Sequence, residues 1–379
     1  MARPHILIIP PWFDIDFQSN FSKSYHQWAR DIADRFDAKV GLLFGEFSPG
    51  QIQREYVQKE DLNYHYLGVK GWGLPKVGVG WWLWKRQYVN AYQEYARRYG
   101  RPTVIHGHSL LGLIAAEAMH RHSEVPLVYT EVLGAFIEGS VATRLVRQGR
   151  KAVRNAAFVC GISPGMVDAL QKTFGVPAEL IALYVDDAVF SPEPRQEGPP
   201  QFISIGAPAH TKGMDVLIEA MALVVQKLPD CRLILVDDIP EQRELENQLR
   251  QLRLEDRVRF VGEMPHDHIP DYIHQSHVLI SASRYESLGF TMLEALSCGR
   301  PVVATDTPGA QFIVEDGLGE IVPKEDPKKL ADAMVQVYLN RSAYDPVDLH
   351  VRIQTRFGKD RILDQWMTIY QRVSNQSNL

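Results

Sequence analysis

Cysteine is scarce in this chain: three in 379 residues, at 160, 231 and 298. They lie far apart and follow no metal-ligand spacing. A disulfide scaffold and a cysteine-held metal site are therefore excluded, and reduced, mostly buried thiols are expected. Long hydrophobic runs are also lacking. The opening MARPHILIIPPWF holds only a brief apolar stretch before its prolines. That is too short to span a membrane and shows no signal-peptide cleavage pattern, so a cytoplasmic location is expected. No charge of one sign dominates. A formal net charge of −5 argues against a basic scaffold for nucleic acid, and no nucleic-acid partner is expected. Low-complexity tracts and internal repeats are absent as well.

What is present is a rhythm. Short apolar runs alternate with longer amphipathic ones. The candidate strands of the first half are HILIIP (5–10), KVGLLF (39–44), TVIHGH (103–108), LVYTEV (127–132) and AFVCGIS (157–163). Those of the second half are QFISIGA (201–207), RLILVDD (232–238), VRFVGEM (258–264), VLISAS (278–283) and PVVATD (301–306). Continuous apolar runs mark strands buried on both faces, as in parallel sheets covered by helices. The length exceeds one ordinary core, so two doubly wound α/β domains are expected. SPEPRQEGPP (191–200) has the composition of a linker. The expected boundaries are 1–190, the linker 191–200, and 201–359, with a C-terminal helix over 360–379.

Ligands of open parallel sheets bind beyond the carboxyl ends of strands, and there the candidate residues gather. ESLGFTMLE (286–294) should turn from a strand into a helix running from about Gly289 to Cys298. The amides of Gly289, Phe290 and Thr291 then lack intrahelical partners and form an anion site. Gly289 allows close backbone approach. Glu286 before the turn and Glu294 within the helix suit hydroxyl donors, that is, sugars. Taken alone, the stretch is equally an ordinary helix start with acidic residues near it. In IGAPAHTKGMDVLIEAM (205–221), Lys212 could place its charge on a diphosphate; a lone lysine near a helix start is more often only surface. In VIHGHSLLG (104–112), His106 and His108 are expected on opposite faces of a strand end, one at the ligand and one packed. No third ligand makes them a metal pair.

Two surface features bear on partners. GWGLPKVGVGWWLWKR (71–86), expected as a loop, combines Trp72, Trp81, Trp82 and Trp84 with Lys70, Lys76, Lys85 and Arg86. At least two of the four tryptophans are expected in the core, and the others suit sugar stacking or a membrane interface. RLVRQGRKAVR (144–154) puts Arg144, Arg147, Lys151 and Arg154 on one helical stripe, either a solvated face or a contact for anionic lipid.

ESLGFTMLEALSCGRPVVATDTPGAQFIVEDGLGEIV (286–322) resembles the retaining glycosyltransferases of family 4, also described as glycosyl transferases group 1. Their signature is a Glu, seven residues, a second Glu, an alanine-rich helix and a Gly-x-Pro-Val-Val strand. TKGMDVLIEAM (211–221), VRFVGEMP (258–265), ISASRYE (280–286), VIHGHSLLG and the C-terminal QWMTIY match too, in the right order over nearly the whole chain. The resemblance implies an α/β GT-B fold: two Rossmann-like doubly wound domains facing across a deep cleft, with the C-terminal helix packing back on the first. It implies transfer of a sugar from a nucleotide-diphosphate donor, UDP- or GDP-linked, to a glycan or lipid-linked glycan, as in surface polysaccharide or glycoconjugate synthesis. No cofactor or metal is implied.

Carried over by position, Glu286 holds donor-sugar hydroxyls, Glu294 the ribose hydroxyls and Lys212 the diphosphate, while His108 lies near the reacting centre. His108, Glu286 and Lys212 are the expected catalytic residues. Gly206, Gly262, Glu263, Met264, Arg284, Gly289, Phe290 and Thr291 complete the expected donor site. Trp12, Asn20 and Glu131 are the expected acceptor contacts. Weak peripheral contact with the inner face of the membrane belongs with this reading. Departures exist. Ala207 stands where the family usually has Arg, with Arg284 or His210 as candidate substitutes. Asp237 replaces a usual glycine, and 10–29 contains no glycine where a Gly-Gly loop is usual. The rival readings are a sugar-nucleotide epimerase or phosphorylase on the same fold, and a catalytically degenerate glycan-binding subunit.

Overall fold

The computed structural model describes the chain except residues 1–2, 12–19, 48–53, 56–63, 72–77, 207–208, 237–238, 240–241 and 377–379. Trp12, Trp72, Lys76, Ala207 and Asp237 thus lie outside the described residues. The chain divides into two α/β units. One comprises Met1–Ile162, Met166–Ile181 and Leu363–Leu379, the other Ser163–Gly165 and Ala182–Ile362.

Among the described residues, the sheet of the first unit has eight strands. They run in the order Arg54–Glu55, Tyr64–Gly71, Lys39–Phe47, His5–Ile9, Val104–His108, Leu127–Glu131, Phe158–Gly161, Glu179–Leu180. All neighbours pair parallel except the first two. The central strands are buried along their whole length, which is why they read as unbroken apolar runs. The Trp-rich stretch differs from expectation: Gly78–Tyr99 is a helix, not a loop. Trp81 and Trp84 are buried in it and stack edge-on at 5.5 Å, whereas Trp82 is 58% exposed. The run pairs apolar with polar residues at helical spacing, and the aromatic face joins the core below. The helix Lys359–Gln376 brings Trp366 and Tyr370 into the first unit, where both pack on His106.

The second unit's sheet is parallel throughout, in the order Val258–Gly262, Arg232–Val236, Gln201–Ile205, Val278–Ser281, Val302–Thr305, Gly319–Val322. Three of its helices start on a side-chain cap followed by proline at the first helical position. The caps are Thr307, Asp326 and Asp345, which accept from the amides of Ala310, of Lys329, and of Val347 and Asp348. The segment 191–200 lies in this unit. Arg300, fully buried, donates to the carbonyls of Glu193 and Pro194 as well as Ser276 and His274. His274 and His277 pair with the carbonyls of Ser191 and Gln196. A guanidinium removed from water is tolerated when carbonyls meet its N–H groups, and here they fasten an otherwise irregular segment.

Candidate functional site

The second sheet has one place where the order of strand addition reverses. From Gln201–Ile205 the next two strands are added on one side, and Val278–Ser281 is added on the other. Loops leaving these two neighbouring strands diverge and open a crevice at their carboxyl ends. Lys212 ends the one-turn helix Ala209–Lys212 that follows the first strand, and Glu286 lies in the loop after the second. Lys212 Nζ lies 2.7 Å from Glu286 Oε2, with the side chains 20% and 15% exposed. Gly206, at φ +123°, lets the lysine lie across the strand end; a Cβ there would come within 2.7 Å of Lys212 Cε.

The helix Phe290–Ser297 begins beside this pair. Its N-cap position is Gly289, at φ +86°, and no side chain caps the helix. Neither does a side chain cap Met214–Lys227, which begins after Gly213, next to Lys212. These uncapped starts contrast with the three Thr- and Asp-capped helices of the same unit. Open amides and the positive end of the helix dipole suit an anion.

Glu294 follows one turn into the helix and is 1% exposed. Its Oε1 meets His266 Nε2 at 2.5 Å. Burial pushes the Glu294 carboxyl up; His266 and Lys212 oppose this without cancelling it. Burial works against charge on His266, yet the Glu294 hydrogen bond and carboxylate, with Asp267, hold the imidazole above its ordinary value. No sequence motif marks His266. Nothing in PHDH distinguishes a ligand-side histidine, because its partner is 28 residues further on.

Arg284 is turned elsewhere. Its guanidinium meets both oxygens of Asp215 at 2.8 Å, both oxygens of Glu325 at 2.6 and 3.1 Å, and the His210 carbonyl at 2.6 Å. Those contacts use all five N–H groups. Arg284 thus braces the short helix that carries Lys212, and it has no donor to spare for a ligand. His210 is exposed. Gly262 ends its strand at φ +81° with open space around it, and Glu263 and Met264 follow in the same loop.

In the first unit the corresponding reversal lies between His5–Ile9 and Val104–His108. His106 and His108 share a face there, with ring centroids 4.1 Å apart. This corrects the expectation of opposite faces: residues two apart on a strand point the same way, because side chains alternate with period two. Both nitrogens of His106 are satisfied, at 2.8 Å from Tyr370 Oη and Thr130 Oγ1. His108 sits edge-on between Tyr25 and Trp28, and its Nε2 has no partner among the described residues. Burial pushes its imidazole down to about 3, so it is neutral. Ser109 follows at φ +54° and opens the helix Ser109–Ser123. Glu131 is fully buried and accepts from the amides of Leu110, Val132 and Leu133 and from the Tyr129 hydroxyl. Asn20 opens the helix Asn20–Phe36. Among the described residues no cluster of His, Cys, Asp or Glu could hold a metal ion.

Comparison with known proteins gives a consistent result. The family model for glycosyl transferases group 1 matches residues 186–352, and that for a glycosyl transferase 4-like domain matches 26–184. Alpha-D-kanosaminyltransferase of Streptomyces kanamyceticus is 32% identical over 200 residues, which is 49% of this chain and 52% of that protein. One of the subunits of the phosphatidylinositol N-acetylglucosaminyltransferase of Arabidopsis thaliana is 25% identical over 73% of this chain and 63% of its own length. The matches thus span about half to two thirds of these relatives. Among solved structures, sucrose-phosphate synthase of Thermosynechococcus elongatus superposes with a TM-score of 0.78 at 20% identity, covering 98% of this chain and 99% of that one. Anabaena HepE in complex with UDP and glucose gives 0.73 at 21%, covering 97% and 100%. At such identities the structures establish the fold.

Proposed function

This chain belongs to the family 4 glycosyltransferases of GT-B fold, and we propose that it moves a sugar from a nucleotide-diphosphate donor to a hydroxyl of a glycan or lipid-linked glycan, with retention. The observation that carries this reading is the Lys212–Glu286 pair beside an uncapped helix start. Lys212 and the amides of Phe290 and Thr291 take the diphosphate. Glu286 accepts from hydroxyls of the sugar, and Glu294 from those of the ribose. Gly262, Glu263 and Met264 meet the base through their backbone.

In the proposed reaction the bond from the anomeric carbon to the β-phosphate oxygen breaks. The acceptor oxygen bonds to that carbon on the same face, and its proton passes to the departing phosphate. The residues supply position and positive potential where charge grows on the leaving group. His108, neutral and with a buried Nε2 that has no partner among the described residues, is the proposed hydrogen-bonding partner of the transferred sugar. Lys212 and helix amides take the part a divalent ion would play, so transfer is expected to survive a chelator. UDP is the first nucleotide to test, since the HepE complexes hold it. Incubation of labelled nucleotide sugars with and without glycan acceptors tests the reading. Acceptor-dependent transfer with retained configuration supports it; conversion of the sugar without acceptor marks an epimerase, and no turnover marks a glycan-binding protein without activity.

Peripheral membrane contact is the proposed setting. On the helix Thr143–Asn155, Arg144, Arg147, Arg150, Lys151 and Arg154 are all exposed, and no acidic residue accompanies them. Both this helix and Gly78–Tyr99 pack on Ser109–Ser123, and the second exposes Trp82 and Leu83. Basic charge with exposed aromatic and aliphatic groups suits an anionic bilayer. Among the described residues no helix is long and apolar enough to cross one.

A further inference from the structure

A buried carboxylate such as Glu294 accepts most strongly from a ligand hydroxyl when it is ionised and held in one rotamer. Its Oε1 is taken by His266 Nε2, while Oε2 has no hydrogen bond among the described residues. The imidazole, partly exposed, has aromatic neighbours of its own. It lies nearly parallel to Phe290, at 6.0 Å and 18°, and 5.1 Å from Phe190. Pro265 precedes it, and residues His266–His268 form a short 3-10 turn that presents the ring. One edge of the ring thus points at Glu294, and two phenyl groups flank it.

We propose that His266 is a positioning residue for the nucleotide: by donating from Nε2 to Glu294 it keeps that carboxylate oriented and ionised, leaving Oε2 to accept from a ribose hydroxyl. The inference rests on the site being a nucleotide-diphosphate site. The other charged groups that act on the pair are Lys212, which favours the Glu294 anion, and Asp267, which favours the imidazolium. The thiol of Cys298, one turn further along the helix, is pushed up by burial and the Glu294 charge and stays neutral. Burial raises Glu294, and His266 is the leading influence that lowers it again. Without the imidazole the carboxyl therefore takes up a proton at higher pH, and a protonated carboxyl no longer offers the same acceptor.

The experiment is calorimetric titration of UDP, GDP and ADP between about pH 5 and pH 8, on the intact protein and on His266→Phe and His266→Gln. Phenylalanine keeps the ring packing and removes the donor. Glutamine places an amide N–H near the position of Nε2. The expected result is that His266→Phe weakens nucleotide binding about tenfold or more near neutral pH. Its acid-side loss of affinity should also move to higher pH. His266→Gln should recover most of the neutral-pH affinity. Unchanged affinity and pH profile in His266→Phe would overturn the proposal. So would equal losses in both variants with no movement of the profile, which would make the ring a packing element only. If the intact protein binds none of the three nucleotides, the reading of the site fails and this inference with it. Binding by the intact protein with indifferent variants refutes the inference alone. Melting midpoints of both variants check that the fold is retained.

Discussion

Lys212 Nζ and Glu286 Oε2 stand 2.7 Å apart beyond the two strands between which the strand order of the second sheet reverses. The cation proposed for the diphosphate is thus already paired, with a carboxylate proposed for the sugar. An arriving nucleotide sugar must change both partners at once: phosphate oxygens replace Glu286 on the lysine, and sugar hydroxyls replace the lysine on Glu286. Half-buried ion pairs are sensitive to such exchange, because neither charge tolerates being left alone.

Glu286→Gln should therefore separate binding from turnover. With the carboxylate gone, Lys212 is free for the diphosphate, and affinity for the nucleoside diphosphate should hold or rise. Transfer should fall by about 100- to 1,000-fold, the usual scale for losing one group aimed at the reacting centre. Calorimetry and transfer assays on one preparation decide it; markedly weaker nucleotide binding would contradict the assignment.

Gly289→Ala should damage the anion site through the backbone. The residue sits at φ +86°, and a Cβ there would lie 2.0 Å from Met292 Cε and 3.2 Å from Glu286 Cγ. The left-handed conformation alone costs a residue with a Cβ about 1 to 2 kcal/mol. The expected outcome is a lower melting midpoint together with weaker nucleotide binding. Full affinity in this variant would show that the helix start does not hold the ligand.

Acid should weaken the first unit through its histidines. His108 is neutral in the fold, pushed down to about 3, and His106 is also held well below its ordinary value by burial and by His108. The unfolded chain binds those protons near pH 6.5 while the fold refuses them, so this stability is complete above that pH and is lost as pH falls below it. At pH 5 the loss from His108 alone is about 2 kcal/mol. His108→Asn should flatten the dependence of stability on pH between about 7 and 5 in denaturant titrations. An unchanged slope would mean that His108 is charged in the fold.

Much of the architecture is legible in the sequence because burial on both faces writes itself as a continuous apolar run. All ten strands expected on that ground are present. The strands without such a run are Arg54–Glu55, Tyr64–Gly71, Glu179–Leu180 and Gly319–Val322, at or next to sheet edges. Glu179 and Leu180 are exposed and Gly319–Val322 only partly buried, so nothing apolar marks them. The site is legible where chain order creates it, as with Glu286 and the glycine before the helix. It is not legible where a partner is remote in sequence. His266 with Glu294, and Arg284 with Asp215 and Glu325, are products of tertiary placement.

Reversing the charge of Arg144, Arg147 and Lys151 to glutamate should abolish binding to anionic vesicles at low salt and leave nucleotide affinity untouched. All three side chains are exposed, away from Lys212 and Glu286 in the sequence and in a different unit. Flotation with vesicles of anionic and neutral lipid tests this, and added salt should weaken the wild-type association. A wild-type protein that ignores anionic vesicles at low salt would leave the stripe a solvated face and point to a soluble acceptor.

The central claim is that the uncapped helix start and Lys212 together hold a nucleotide diphosphate. Titration of the intact protein and of Lys212→Ala with UDP, GDP, ADP and their sugars measures it directly. The account predicts saturable binding of at least one of them by the intact protein, and a loss of about 2 kcal/mol or more in the variant, where Glu286 is left unpaired beside the phosphates. No binding by the intact protein, or equal affinity in Lys212→Ala, would contradict it.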